Sequence, residues 1–219
     1  MITSSSPLLG YIGYPSRPKG GGVLPKDFKL LRNEVMTPKL NGDRVLLSRE
    51  GKVYNRQMQK YTKMDADDAV LVHQILNHPT HSACSNSDVL WWDIEYMSHG
   101  INKGCFCVID CVVNGDDDYF SRLSRYDELP TCNPIDQKTQ FKNKPENTRN
   151  GWRFPIYNDE EIAQLVWEDM EYTYHAYINY GQENDYIWEG LVCQVTDQPY
   201  ELTPKQSMNM TTQIKYRFR

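Results

Sequence analysis

The 219-residue chain has no apolar run long enough to cross a bilayer, which takes about 20 consecutive apolar residues in a helix. Its first residues, Met1-Ile2-Thr3-Ser4-Ser5-Ser6-Pro7, lack the charged segment and apolar core of a secretory signal. A cytoplasmic protein with no membrane contact is the expectation. An excess of positive charge is also missing: 24 Lys and Arg stand against 29 Asp and Glu, for a net charge of −5. That balance argues against bulk attraction to nucleic acid, so any such binding must come from a local basic surface. The six cysteines fit none of the usual zinc spacings. Cys105, Cys107 and Cys111 fall in the apolar run from Gly104 to Val113 and read as small buried thiols of a reducing compartment. His73, His78 and His81 have no carboxylate at a familiar ligand spacing and do not read as a metal site.

What is present is the composition of a globular protein, 39% hydrophobic and 24% charged, long enough for one large domain or two small ones. Residues 1–26 are rich in Pro and Gly and read as an irregular arm, with Arg17 and Lys19 on it. Val45-Leu46-Leu47-Ser48 and Lys52-Val53-Tyr54 flank a Glu50-Gly51 turn, a hairpin signal. A helix is expected from Asp65 to Asn77, with acids at its start and an apolar face from Ala69, Val70, Val72, His73 and Leu76. A second is expected from Asn158 to about Tyr172, opened by a capping box of Asn158 and Glu161. Residues 131–152 are polar, and their Lys138, Lys142, Lys144 and Arg149 make a candidate phosphate contact or a solvated insertion.

The stretch with most chemistry is Met36-Thr37-Pro38-Lys39-Leu40-Asn41-Gly42-Asp43-Arg44. Short apolar strands on either side place Lys39 in the turn between them. A lysine amine becomes a nucleophile when desolvation or a nearby cation stabilises its neutral form. Gly42 allows close approach of a ligand, and the planar fork of Arg44 suits phosphate or ribose oxygens. An ordinary Asn-Gly hairpin turn with a lysine beside it explains the same residues.

Acids inside apolar strands are the second signal. Asp93 and Glu95 share one face of Val89–Met97, and burying both costs free energy unless a cation or donor meets them. Asp110 interrupts the apolar run that holds Ile109, and Glu189-Gly190 opens Leu191-Val192-Cys193. At the C-terminus, Lys215 and Arg217 fall on one face of a strand by period-two spacing.

Lys39-Leu40-Asn41-Gly42-Asp43-Arg44 resembles the first motif of the covalent nucleotidyltransferases, the DNA ligases, RNA ligases and mRNA-capping enzymes. Later stretches resemble that family's further motifs in the family's order: Asp93-Ile94-Glu95, with isoleucine for the usual glycine; Ile109-Asp110, with isoleucine for the usual aromatic; Glu189-Gly190; and Lys215-Tyr216-Arg217. The resemblance covers most of residues 30–219. It implies an α+β fold: a ligase-type adenylation (nucleotidyltransferase) domain with antiparallel sheets around a nucleotide pocket. Residues 1–219 would form this single domain, without the OB-fold module that most DNA ligases and capping enzymes carry.

The activity implied is that of an ATP-dependent polynucleotide ligase, a small phage-type enzyme. It would join 5′-phosphate and 3′-hydroxyl ends, as in nicked duplex DNA or DNA/RNA hybrids, through a lysyl-AMP intermediate and an adenylated 5′ end. By the same resemblance Lys39, Glu95, Lys215 and Arg217 are the expected catalytic set. Thr37, Lys39, Arg44, Arg56, Glu95, Ile109, Glu189, Lys215 and Arg217 are the expected cofactor-binding set. ATP is the expected nucleotide, and Mg2+ or Mn2+ is expected on Glu95 and Glu189. The partner would be nucleic acid, with the protein acting as a monomer. An mRNA-capping guanylyltransferase and a non-catalytic nucleic-acid-binding domain are the alternatives.

Overall fold

The computed structural model describes residues 14–15, 17–77, 88–98, 102–113, 117–132, 134, 151–182, 186–203 and 209–218. Strands β1 (Tyr14–Pro15), β2 (Arg17–Gly22), β3 (Glu34–Leu40), β4 (Asp43–Ser48) and β5 (Val53–Asn55) precede helix α1 (Ala66–Asn77). Strands β6 (Val89–Tyr96) and β7 (Phe106–Val113) follow, then the short helix α2 (Tyr119–Leu123), β8 (Gly151–Arg153) and the long helix α3 (Glu160–Asn179). Strands β9 (Trp188–Val195), β10 (Leu202–Thr203) and β11 (Asn209–Arg217) complete the order.

Two sheets dominate, a four-stranded one in the order β2-β11-β9-β3 and a five-stranded one in the order β5-β4-β6-β7-β8. Pairing is antiparallel except for β2 with β11 and β7 with β8. The chain passes from the first sheet to the second at Asn41-Gly42, between β3 and β4.

Each sheet buries one face against a helix. On the five-stranded sheet, Trp92, Ile94 and Tyr96 of β6 and Val45 and Leu47 of β4 pack on Val72 and Leu76 of α1. On the four-stranded sheet, Met36, Leu40, Leu191, Cys193 and Tyr216 pack on Ala163, Val166, Trp167, Met170 and Tyr174 of α3. The spacing of those α3 residues is the stripe of an amphipathic helix. Phe218 caps this contact, with ring centroids 4.7 Å from Trp167 and 5.4 Å from Tyr174. Both helices lie outside, and the opposite faces of the sheets border a common cleft.

Several expectations change. Lys39 lies within β3 and not in the turn after it, because the strand runs on to Leu40. Residues 17–22 are a strand, since β11 offers a free edge to which even a Gly-rich segment can bond in parallel. The N-cap of α3 is Asp159, whose carboxylate accepts from the Glu161 and Ile162 amides. The helix continues to Asn179 and closes with Gly181 at φ 66°, the left-handed residue that ends many helices. Of the tyrosines on and just after α3, Tyr174 is core whereas Tyr172 and Tyr180 are 78% and 81% exposed. Lys138, Lys142, Lys144 and Arg149, together with His78 and His81, lie outside the described residues. Cys105, Cys107, Cys111, Cys132 and Cys193 are buried free thiols.

A buried ion pair ties α2 to the five-stranded sheet. Arg122, 2% exposed, donates to both carboxylate oxygens of Asp110 at 2.8 and 2.9 Å and to the Gln198 carbonyl at 3.0 Å. Burial pushes the Asp110 carboxyl up, and Arg122 opposes that rise. Removing one member leaves the other charge uncompensated, so Asp110→Ala should cost about 3–5 kcal/mol of stability by chemical denaturation at neutral pH. A cost below about 1 kcal/mol, the range of exposed pairs, would contradict the role given to this contact.

Candidate active site

The cleft encloses about 510 Å³ and takes its walls from both sheets. Its four-stranded wall is built in rows. Lys39 and Arg217 both stand opposite Gly190, Thr37 and Lys215 both stand opposite Val192, and Val35 and Gln213 both stand opposite Gln194. Residues opposite one another share a face, so β3, β9 and β11 present Thr37, Lys39, Lys215 and Arg217 together. Tyr216 turns to the core shared with α3, as alternation requires.

Glu189 would face α3 if β9 were regular. The pairing passes from Lys39 opposite Gly190 to Leu40 opposite Trp188 and leaves Glu189 as an extra residue. Such a bulge re-aims a side chain, and here it joins Glu189 to the row of cations. Gly190 is required for this. Its φ is 145°, and a Cβ there would lie 2.1 Å from the Tyr216 carbonyl oxygen. Glu189 Oε2 approaches Lys39 Nζ at 2.5 Å and Arg217 Nη2 at 3.0 Å. Lys39 Nζ also donates to the Leu40 carbonyl at 3.0 Å. Glu189 Oε2 and Arg217 Nε are buried yet reach no hydrogen-bond geometry, so the contacts between these groups are ionic approaches.

The other wall carries the two acids of β6. Trp92, Ile94 and Tyr96 face α1, which leaves Asp93 and Glu95 on the opposite face. The demand for partners is met at both. Arg44 Nε donates to Asp93 Oδ1 at 2.9 Å, Arg44 Nη2 reaches Oδ2 at 2.5 Å, and the Tyr200 hydroxyl donates to Oδ2 at 2.7 Å. Arg44 borders the cleft with its fork engaged on this carboxylate. Glu95 Oε1 accepts from the Gly42 amide at 3.0 Å. Gly42 has no room for a side chain, since a Cβ would meet Glu95 Cγ and the Tyr96 carbonyl oxygen at 2.9 Å. Burial pushes the Glu95 carboxyl up from 4.5 to about 6, against the pull of Lys39, the Gly42 amide and Arg44.

Ile109 lines the cleft because β7 also bulges. Asp93 pairs with Asp110 and Ile94 with Val108, which leaves Ile109 extra. Arg56 sits in the turn after β5. There the Asn55 carboxamide oxygen accepts from the Gln57 and Gln59 amides at 2.9 and 3.0 Å, and Met58 takes φ 59°. All nine sequence-predicted residues therefore border this one cleft: Thr37, Lys39, Arg44, Arg56, Glu95, Ile109, Glu189, Lys215 and Arg217. Several more do so without having been predicted. Phe154 and Val192 add apolar surface beside Ile109. Gln213 donates to Gln194 at 3.1 Å in a buried amide pair. Arg17, Lys60 and Lys63 add charge.

Eight cationic side chains line the cleft against three carboxylates, a local reversal of the chain's net charge of −5. Such a surface suits a polyanion. Among the described residues no three His, Cys, Asp or Glu side chains form a metal-binding group. A cation here would rest on Glu95 and Glu189 together with oxygens of a ligand or of water. That is how Mg2+ is commonly held beside phosphates, and both carboxylates line the cleft.

No family model and no curated protein matches the sequence. Solved structures do match. One described as Pmar-Lig_Pre has a TM-score of 0.53 at 14% identity, covering 94% of this chain and 47% of that one. A structure from work on DNA binding with a minimal scaffold by Lig E DNA ligases has a TM-score of 0.48 at 14% identity, covering 94% and 68%. Chlorella virus DNA ligase-adenylate has a TM-score of 0.46 at 13% identity, covering 93% and 67%. The chain thus spans about half the length of the first of these. At such identities the likeness is one of fold alone: this chain shares its fold with the Pmar-Lig_Pre structure. No described helix is long and apolar enough to cross a membrane.

Glu95 yields a pH prediction. Folded, it takes its proton at a higher pH than when unfolded, so the native state binds more protons between pH 4.5 and about 6. Stability from this group is therefore greatest below that window and falls as pH rises through it. Glu95→Gln should remove that fall, worth about 2 kcal/mol, in denaturant titrations run at several pH values. The same slope in both proteins would contradict the burial-driven shift.

Proposed function

We propose that this chain is the catalytic domain of an ATP-dependent polynucleotide ligase in which Lys39 is the nucleophile. The observation that carries the reading is the convergence of Lys39, Glu189, Lys215 and Arg217 from three strands on one face, opposite Glu95, in a cleft rich in cations. A structural lysine needs one carboxylate. Lys39 has Glu189, but Glu189 is shared with Arg217, and Lys215 beside them has no ion-pair partner among the described residues. The surplus charge suits a phosphate chain.

In this reading the neutral Lys39 amine attacks the α-phosphorus of ATP. The Nζ–P bond forms, the bond to the β-phosphate oxygen breaks, pyrophosphate leaves, and the amine proton passes to solvent. Lys215 and Arg217 offset charge on the α-phosphate. Lys215 is suited to a role beside a reacting amine: burial, then the Arg217, Lys39 and Arg17 charges, hold its own pKa down. A divalent ion on Glu95 and Glu189 supplies further charge neutralisation when bound. Ile109, Phe154 and Val192 offer the base an apolar seat. The nucleotide then passes to a 5′-phosphate end, and attack by a 3′-hydroxyl seals the strand and releases AMP. The protein contributes mainly alignment and electrostatics.

Incubation with α-labelled ATP and Mg2+ should give a covalently labelled protein, and Lys39→Ala should reduce the label to background. Glu189→Ala should cut adduct formation by about 100-fold or more, the scale on which loss of a charge-stabilising group acts. Label retained by Lys39→Ala refutes the nucleophile. Labelling by GTP and not by ATP would instead favour a capping guanylyltransferase, and no label with either nucleotide would favour a non-catalytic binding domain.

A further inference from the structure

The cations of the cleft divide into two groups by partner. Lys39 and Arg217 share Glu189, Arg44 is bound to Asp93, and Lys63 lies 2.9 Å from Asp43. Arg17, Arg56, Lys60 and Lys215 also line the cleft, and none of the four makes an ion pair or side-chain hydrogen bond among the described residues. Arg17 lies close enough to Arg56 and to Lys215 to repel both. After burial, the Arg17 charge is the largest influence lowering the pKa of Arg56, and it acts on Lys215 as well. Like charges gathered without an ion-pair partner are costly in the free protein, and an anion of high charge density relieves the cost.

Arg17 reaches this place by an unusual route. Strand β2 pairs in parallel with β11, with Lys19 opposite Ile214 and Gly20 opposite Lys215. A segment nearly 200 residues away in sequence is thereby fixed beside the strand that carries Lys215 and Arg217. Gly21 makes the close packing possible, since a Cβ there would meet the side chains of Ile214 and Tyr216 at 2.7 Å.

We propose that Arg17, with Arg56, binds the β- and γ-phosphates of the nucleoside triphosphate and orients the pyrophosphate as it leaves. The assignment rests on the nucleotidyl-transfer reading above. It gives the N-terminal strand a substrate-contacting role. Lys39, Glu189, Lys215 and Arg217 serve the α-phosphate, and Arg17 and Arg56 serve the phosphates beyond it.

The test compares the full chain with Arg17→Ala and Arg17→Lys by titration calorimetry with inorganic tripolyphosphate and with AMP. Removal of one charge-assisted hydrogen bond should weaken tripolyphosphate binding to Arg17→Ala by about tenfold or more and leave AMP binding unchanged. Arg17→Lys, which keeps the charge, should stay within about threefold of the parent. Arg17→Ala should raise the ATP concentration needed for adduct formation, yet seal a nicked duplex supplied already adenylated at its 5′ end at the parent rate. Equal tripolyphosphate affinity in parent and Arg17→Ala overturns the assignment. So does a loss confined to binding of nicked duplex, which would make Arg17 a nucleic-acid contact. Equal losses toward AMP and tripolyphosphate in both variants likewise count against it. If the parent chain forms no adduct at all, the ligase reading fails, while the calorimetric comparison still decides whether Arg17 binds a phosphate chain.

Discussion

The contact on which the site depends is the sharing of one carboxylate between two cations from different strands. Glu189 lies between Lys39 on β3 and Arg217 on β11, and it does so only because β9 bulges at Gly190. The bulge needs a residue that tolerates φ 145° and a neighbouring carbonyl where a Cβ would be. Helix α3 secures the other side of the same three strands. Tyr216 and Phe218 alternate with Lys215 and Arg217, and their rings pack on the α3 core. Burial of those rings, worth a few kcal/mol each, therefore also fixes where the basic side chains point.

The same logic holds across the cleft. Trp92, Ile94 and Tyr96 anchor β6 on α1 and leave Asp93 and Glu95 facing inward. The two carboxylates are then used differently. Asp93 is neutralised by Arg44 and hydrogen-bonded by Tyr200, which makes it a fixed part of the wall. Glu95 has one backbone donor and a carboxyl pushed up to about 6, so it has capacity left for a cation or a hydroxyl. A chain with net negative charge thus concentrates positive charge where two sheets meet and sets Glu95 and Glu189 inside it.

Much of this arrangement was legible in the sequence because strands alternate with period two. Lys215 with Arg217 and Asp93 with Glu95 could be assigned to shared faces from spacing alone, and the motif order linked distant strands. The rest depended on features with no local signature. A bulge inserts a residue without marking it, so the orientations of Glu189 and Ile109 could not be read from alternation. Arg17 lies in a Pro- and Gly-rich segment whose strand character comes wholly from its partner β11. Phe154 lines the cleft from an irregular stretch between β8 and α3. Arg44 reads as a free phosphate-binding fork until Asp93, 49 residues away, is seen to hold it. Tertiary pairing decided each of these, as it decides strand character generally.

The central claim is that the amine of residue 39 is the atom that carries the nucleotide. It is tested most directly by mass spectrometry of the intact chain after incubation with ATP and Mg2+, followed by peptide mapping under conditions that preserve a phosphoramidate. The account predicts a gain of one AMP per chain, located on Lys39. An AMP located on any other residue, or a chain that hydrolyses or binds ATP without ever gaining the mass, would contradict it.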